Sequence, residues 1–300
     1  MTYPPQGSNK LNFIHNICAM QKNMPANGGT KLRMSRFNPL ATAMTPLGNT
    51  GVTPPGQNLT RLDLDAELSF YGTFVSINEQ VQLQNQNPVL NEAAARLGVS
   101  LRQTEDQLTR DMLASTASFL NCVGGASSDS PTEISRADIN DVIATLLSNN
   151  AFTITDGIEG EDRFGSSPVR NSFMALCNTA LIPDLENVNG MTNNWNYPSV
   201  NRTIPSEWCA VANLRFLISS IGSATLQASA MNQTVYNIFC TGLEAYANVN
   251  QDRYSAQFIY LPPVFSGPLA LNASVGYKFA TCPKITNDLW ILNLRATLAA

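Results

Sequence analysis

Two short stretches of opposite charge, held far apart by a Pro- and Gly-rich connection, constrain this chain more than any other feature. Within residues 30–36, Leu32 and Met34 fall on one face and Lys31 and Arg33 on the other. Within 61–68, Leu62, Leu64, Ala66 and Leu68 share a face, with Asp63, Asp65 and Glu67 opposite. A period of two means strands. Paired antiparallel, they set the cations of one across from the acids of the other, a favourable cross-strand arrangement. The connection, 37–60, carries Pro39, Pro46, Gly48, Gly51, Pro54, Pro55 and Gly56, and loops of that length in compact proteins are usually functional or disordered. A two-stranded ribbon has no core of its own and is marginal in water. It must lie on something else, which is the first indication of an assembly.

The charges along the chain point the same way. Residues 1–62 hold six cations (Lys10, Lys22, Lys31, Arg33, Arg36, Arg61) and no acid, whereas 63–300 hold twelve cations against twenty-two acids, a balance of −10. A basic limb on an acidic body implies contact with nucleic acid or with an acidic partner surface. Six charges spread over sixty-two residues are too dilute for a dedicated DNA-binding tail, and no Arg–aromatic interleaving supports one. A neighbouring copy of the chain is the better partner. Charged residues make up only 13% of the sequence and Asn is abundant, with 32 copies. Such a composition suits a molecule that covers much of its surface with other subunits.

Residues 1–29, rich in Asn, Pro and Gly, read as an extended arm with little structure of its own. After a strand at 71–78 comes the clearest helix. Pro88 opens it, and apolar or small residues recur at Leu90, Ala94, Leu97, Leu101, Thr104, Leu108, Met112, Ser115 and Phe119. These steps of three and four predict about nine turns, a rod of ~45–48 Å. Its polar face holds Arg96, Arg102, Glu105, Asp106, Arg110 and Asp111. Beyond a break at 124–131, Ser135-Arg-Ala-Asp138 reads as a capping box. Its helix runs to about Asn149 and buries Ile139, Val142, Ile143, Leu146 and Leu147. A polar, turn-rich stretch (156–170), a strand (172–177), a short helix near 179–188 and a strand around 210–219 follow. The segment 234–249 is of uncertain type, and strands at 254–261, 270–280 and 289–298 end the chain. The mixed order indicates α+β.

No catalytic constellation emerges. The single histidine, His15, sits in the arm, so a Ser–His–Asp or Cys–His arrangement would depend on the least ordered part of the chain. Zincin, hydrolase and nucleotide-loop motifs are absent. The acids Asp156, Glu159, Glu161 and Asp162 could attract a divalent cation but lack EF-hand spacing; they are the basis of a minor alternative, a metal-dependent hydrolase. Six cysteines at least 31 residues apart, without C-x-x-C, suggest reduced thiols and a cytosolic assembly site, and give no sign of zinc. No window reaches the ~18 apolar residues of a membrane helix, since the best, 208–222, carries Arg215. The start has no secretory signal, and N-x-[ST] matches at Asn58, Asn201, Asn232 and Asn272 are then chance occurrences. No cofactor is expected, and the function is mechanical.

Several strings resemble the major capsid (coat) proteins of N4-like tailed phages, which have the HK97-like fold. They are Arg36-Phe-Asn-Pro-Leu-Ala-Thr-Ala43 with Thr45-Pro-Leu47, Gly51-Val-Thr-Pro54, Tyr71-Gly72, Thr104-Glu-Asp-Gln-Leu-Thr-Arg-Asp-Met-Leu113, Ile158-Glu-Gly160, Ser167-Pro-Val-Arg170 and Gly276-Tyr-Lys-Phe279. They run in colinear order over most of 30–298. Gly267-Pro-Leu269 departs from the pattern, which has an acidic residue before Pro-Leu, and 189–209 has no counterpart.

The resemblance implies a non-enzymatic virion protein. It would self-assemble, in hundreds of copies as hexamers and pentamers, into an icosahedral shell around double-stranded DNA that it touches only weakly. It further implies an N-terminal arm (1–29) and an extended β-hairpin loop (30–70). A peripheral domain (71–133 and 266–283) would be built on a spine helix at about 88–120, and an axial domain would comprise 134–265 and 284–300. Lys31, Arg33, Arg36, Asp63, Asp65 and Glu67 are the candidates for contact between subunits. The arm is too short for a built-in scaffold, so a separate scaffold is expected, with decoration and portal proteins as further partners. An encapsulin-type compartment shares the fold and is the other container reading. A Lys–Asn cross-link through Lys31 is conceivable, though no motif marks one.

Overall fold

The computed structural model describes residues 13–25, 28–42, 44, 56–78, 80, 89–116, 118–123, 131–154, 172–196, 204, 206–227, 233–252, 256–262 and 271–299. The two charge-patterned segments form an antiparallel pair, β2 (Lys31–Phe37) and β3 (Arg61–Glu67), separate from the other sheets. An eight-stranded sheet has the order β5-β15-β11-β6-β9-β8-β7, with β10 paired to β11. Its strands are β5 (Phe119–Asn121), β6 (Phe173–Asn178), β7 (Met191–Asn193), β8 (Glu207–Val211), β9 (Leu214–Ser219), β10 (Ala224–Gln227), β11 (Gln233–Thr241) and β15 (Ile291–Ala296). The third sheet is organised by the 14-residue β14 (Asn272–Ile285). Its first part pairs β4 (Ser69–Asn78) on one side and β13 (Gln257–Leu261) on the other. Its last residues pair β12 (Tyr246–Gln251), which in turn pairs β1 (Met20–Met24) in parallel.

The eight-stranded sheet is covered on both faces, so its central strands read as continuous apolar runs rather than alternating ones. Phe173, Ala175 and Cys177 face one side with Phe216 and Ile238, under the helix Arg136–Ser148 (α2) and the short helix Ile182–Glu186 (α3). Met174, Leu176, Leu217 and Phe239 face the other side. The Ser135 side chain accepts from the Asp138 N–H, and the Asp138 carboxylate accepts the Ser135 N–H at 3.0 Å, so the expected capping box closes. Ile139, Val142 and Leu146 are buried as the pattern required, but Leu147 is 51% exposed.

The long helix, α1 (Val89–Ala114), has 26 residues, about 39 Å. It is shorter than the apolar spacing suggested. The N–H groups of Ser115 and Thr116 turn back to the carbonyls of Met112 and Leu113, and Phe119 belongs to β5 with its ring 3.9 Å from the Arg295 guanidinium carbon. Pairing of β5 with β15 and this cation–π contact outcompete further helix. Leu97 and Leu101 pack on Val275, Tyr277 and Phe279 of β14.

The arm departs most from expectation. Ile14 and Cys18 are buried with Leu113, Phe239 and Tyr246, which places residues 14–18 over the second face of the large sheet. The Asp106 carboxylate accepts the His15 backbone N–H at 2.8 Å, and its other oxygen lies 2.7 Å from His15 Nδ1. Both side chains are fully buried, so Asp106 does not belong to an exposed polar face. The Tyr246 hydroxyl donates to the His15 carbonyl. Next to it, the Asn16 side-chain oxygen accepts from Thr109 Oγ1 at 2.7 Å and from Asn248 Nδ2 at 3.3 Å, and Thr281 Oγ1 donates to Asn248 Oδ1 at 2.6 Å. Asn248 also donates to Glu105, whose carboxyl is pushed up chiefly by burial. One polar cluster thus ties the arm, α1, β12 and β14 together.

Removing one partner of a buried pair strands the other. Asp106→Ala is expected to lower unfolding free energy by about 3–5 kcal/mol, read by urea denaturation. The double variant His15→Phe/Asp106→Leu is expected to recover part of that loss, because it leaves neither group unpaired.

Candidate assembly surface

The finger formed by β2 and β3 has two dissimilar faces. On the polar face the register sets Lys31 opposite Glu67, Arg33 opposite Asp65 and Ser35 opposite Asp63. Lys31 Nζ lies 3.3 Å from Glu67, and the Arg33 fork donates to both Asp65 oxygens at 2.8 and 3.1 Å. The charge ladder read from the sequence therefore forms within one chain. Asp63 is instead held by Arg61, two residues away on its own strand, at 2.6 and 2.8 Å. Arg36 sits opposite Leu62 on the other face and makes no ion pair among the described residues. The six candidates thus fall into two cross-strand pairs, one carboxylate with a same-strand partner, and one unpaired cation.

The apolar face changes character along its length. At the root, Leu32, Met34 and Ala66 pack with Leu68 against Met24 and Val249 of the body. Farther out, nothing among the described residues covers it. Leu62 on that face is 49% exposed, while Phe37, on the charged face opposite Arg61, and Leu40, Leu59 and Met44 in the connection are 58–86% exposed. A ribbon with this apolar outer half is not stabilised by its own chain. Within one chain the Lys31–Glu67 and Arg33–Asp65 pairs stay half exposed or more, beside these exposed apolar residues. The signal that could have found them was the run Arg36-Phe-Asn-Pro-Leu40, where large apolar residues stand in a loop. Half of the connection, 43 and 45–55, lies outside the described residues.

A second exposed apolar face lies on the sheet around β14. Val275, Tyr277 and Phe279 face α1, so Gly276, Lys278 and Ala280 face away. Gly276 pairs with Phe74 and Ile259, and Ala280 with Phe70. Phe70 and Phe74 are 62% and 70% exposed. A Cβ at Gly276 would lie 2.8 Å from that of Phe74, so only glycine allows this close approach.

Among the described residues no group of side chains forms an open reaction centre. His15 pairs with a carboxylate, but both are sealed in the core, where no substrate reaches. Among the described residues no cluster of His, Cys, Asp or Glu could hold a metal ion, and no helix is long and apolar enough to cross a membrane. The acids at 156–162 lie outside those residues. The six cysteines are free thiols. Burial pushes the thiols of Cys18, Cys209 and Cys240 up to about 12, so they are poor nucleophiles at neutral pH.

No protein-family model matches the chain, and no curated protein matches it. Solved structures do. The capsid of Ralstonia phage GP4 is similar with a TM-score of 0.73 at 12% identity, over 100% of this chain and 95% of that one. The acidic stable capsid of Helicobacter pylori bacteriophage KHP30 gives 0.67 at 10% identity, over 99% and 93%. The capsid of a native GTA particle gives 0.61 at 9% identity, over 99% and 94%. At such identities the likeness shows the fold, and the fold is the HK97-like capsid architecture.

The carboxyls of Asp63 and Asp65 are held below the ordinary carboxylate value, chiefly by hydrogen bonds from Arg61 and Arg33 respectively. A lowered carboxylate stabilises the ladder fully above pH 3.8 and loses that contribution as pH falls through its folded-state pKa. Carboxyl NMR titration is expected to give both midpoints below 3.8, and Arg33→Gln to raise Asp65 far more than Asp63.

Proposed function

We propose that this chain is the structural major capsid protein of a tailed bacteriophage of the N4-like kind. It self-associates into hexamers and pentamers that close an icosahedral shell around double-stranded DNA. The observation that carries this reading is the finger: a two-stranded projection, anchored at its root, whose outer apolar residues are exposed among the described residues. On an HK97-like fold, a neighbouring copy is the surface that completes it. Phe37, Leu40, Leu59 and Leu62 supply the contact, while Lys31, Arg33, Asp63, Asp65 and Glu67 keep the ribbon straight and in register.

Several features support the rest of the reading. Exposed ion pairs contribute little each, so cohesion comes from overlapping projections whose many weak contacts break only together. The 30–70 hairpin reaches outward. The segments 71–133 and 266–283 form the peripheral part around α1, and 134–265 with 284–300 form the axial part. The arm has a different role from a free strap, since residues 14–24 complete the core of their own subunit. A body with a −10 balance disfavours tight phosphate binding, consistent with DNA that is enclosed rather than gripped. The chemistry is assembly in a host cytoplasm followed by a life in the virion, with scaffold, decoration and portal proteins as separate chains.

The purified chain is expected to form rings or closed shells, seen by negative-stain microscopy and in fast-sedimenting fractions. The variant Phe37→Ser/Leu40→Ser/Leu59→Ser/Leu62→Ser is expected to keep native circular dichroism and cooperative unfolding yet sediment as small species. A wild-type chain that stays monomeric at high concentration, with or without a scaffold, would overturn the proposal.

A further inference from the structure

Of the six charges singled out from the sequence, Arg36 is the one that pairing inside the chain leaves unexplained. It stands opposite Leu62 in the ribbon, so the cation and an apolar side chain share a face. It is exposed and has no ion pair among the described residues. Leu40 and Leu59, in the connection beyond it, are exposed as well. A cation beside exposed apolar side chains fits a surface of complementary kind, apolar with acids at its border. Residues 1–62 hold no acid, so that surface belongs to the body.

On the body, three connections converge on a place of that chemistry: the end of α2, the β11–β12 turn and the single helical turn Asp288–Trp290. Asn149 Nδ2 donates to the Leu289 carbonyl at 3.0 Å, and Trp290 Nε1 donates to the Asn149 carbonyl at 3.2 Å. The N–H groups of Gly242 and Leu243 donate to the carbonyls of Trp290 and Phe152 at 3.0 and 2.9 Å. The Phe152 ring packs edge-on against Trp290, with centroids 5.3 Å apart. Leu147, Phe152, Leu243 and Leu289 stand out from this knot, 37–64% exposed. Glu244 and Asp288 lie beside them, both exposed and without an ion pair among the described residues. Glu244 holds φ 57°, a left-handed backbone that a residue with a Cβ seldom adopts. Large apolar side chains gathered in one exposed patch mark a contact surface, and the two acids select what it contacts. They repel phosphate, and a second copy of the same patch would set acids against acids. The finger of the same chain stops short of it. Its Arg36 and Leu62 border a groove of 500 Å³ whose body wall includes Glu244 and Trp290 but none of the four exposed apolar residues.

We propose that this patch is the seat of the finger of a second copy. Leu40, Leu59 and Leu62 of the incoming finger cover the four exposed apolar side chains, and its Arg36 pairs with Asp288 and Glu244. Finger and seat are different surfaces of one chain, so the contact is heterologous, and repeating it generates a ring where the rotation closes. The inference rests on the shell reading and adds to it the surface that receives the finger.

Charge reversal in the full chain tests this, with rings and shells quantified by sedimentation and negative-stain microscopy. Arg36→Glu alone, and Glu244→Arg/Asp288→Arg alone, are each expected to cut the assembled fraction several-fold with circular dichroism unchanged. The three changes together are expected to restore most of it, because the ion pairs re-form with their signs exchanged. A second variant, Leu40→Cys/Leu289→Cys, is assembled from a mixture of 14N- and 15N-labelled protein and oxidised with oxidised glutathione. Mass spectrometry is expected to find a disulfide between those two positions in isotopically mixed pairs. A disulfide in unmixed pairs only places the finger on its own body and overturns the proposal, as does the absence of that disulfide. Reversals that leave assembly at the wild-type level, or a combined variant no better than its parts, overturn it too and leave the shell reading in place. A wild-type chain that never associates overturns both.

Discussion

The His15–Asp106 pair is the constraint on which the rest of the structure depends. A carboxylate on the long helix is buried where no water can solvate it, and it is tolerable only because a segment ninety-one residues earlier supplies two hydrogen bonds. That requirement draws the arm over the large sheet. Asn16, Thr109, Asn248 and Thr281 extend the same cluster, so the helix, β12 and β14 are placed by one set of polar contacts. Apolar packing holds these elements together, but it is permissive about register. The buried polar cluster is selective, since a shifted helix would strand several donors and acceptors together.

With the body fixed in this way, the finger stands out as its opposite. Its root shares a small core with Met24 and Val249. Among the described residues its outer half is held by backbone pairing, exposed ion pairs and hydrogen bonds from Asn38 to Thr60 and from Gln57 to the Ala41 carbonyl. Folding of the single chain therefore leaves an apolar surface exposed among the described residues, the surface that the proposed shell would cover with a second copy. The exposed row of Phe70, Phe74 and Ile259 on the other sheet is a further surface of the same kind.

The sequence made local periodicity legible and long-range polarity illegible. The charge ladder of β2 and β3, the capping box at Ser135 and the buried strand β6 could all be read from spacing alone. The end of α1 could not, because Phe119 keeps helical spacing while its true partners, β15 and Arg295, are more than 170 residues away. The stretch 210–219 reads as one strand, but the chain turns at Ala212, which adopts φ 53° without the glycine that would announce it, and two strands result. The uncertain segment 234–249 divides likewise into β11 and β12. Asp106 looked like a surface acid and the arm looked unstructured for one shared reason. Each residue is explained only by the other, and nothing within a helical turn reveals that. The finger's charges were visible as a pattern, whereas its apolar outer residues follow no period and stood out only through exposure.

An electron cryomicroscopy reconstruction of particles assembled from this chain tests the central claim most directly. It should show closed icosahedral shells in which the outer half of each 30–70 hairpin lies across an adjacent subunit, with Phe37, Leu40, Leu59 and Leu62 buried in that contact. Discrete subunits, or shells in which the hairpin folds back on its own body and touches no other copy, would contradict it.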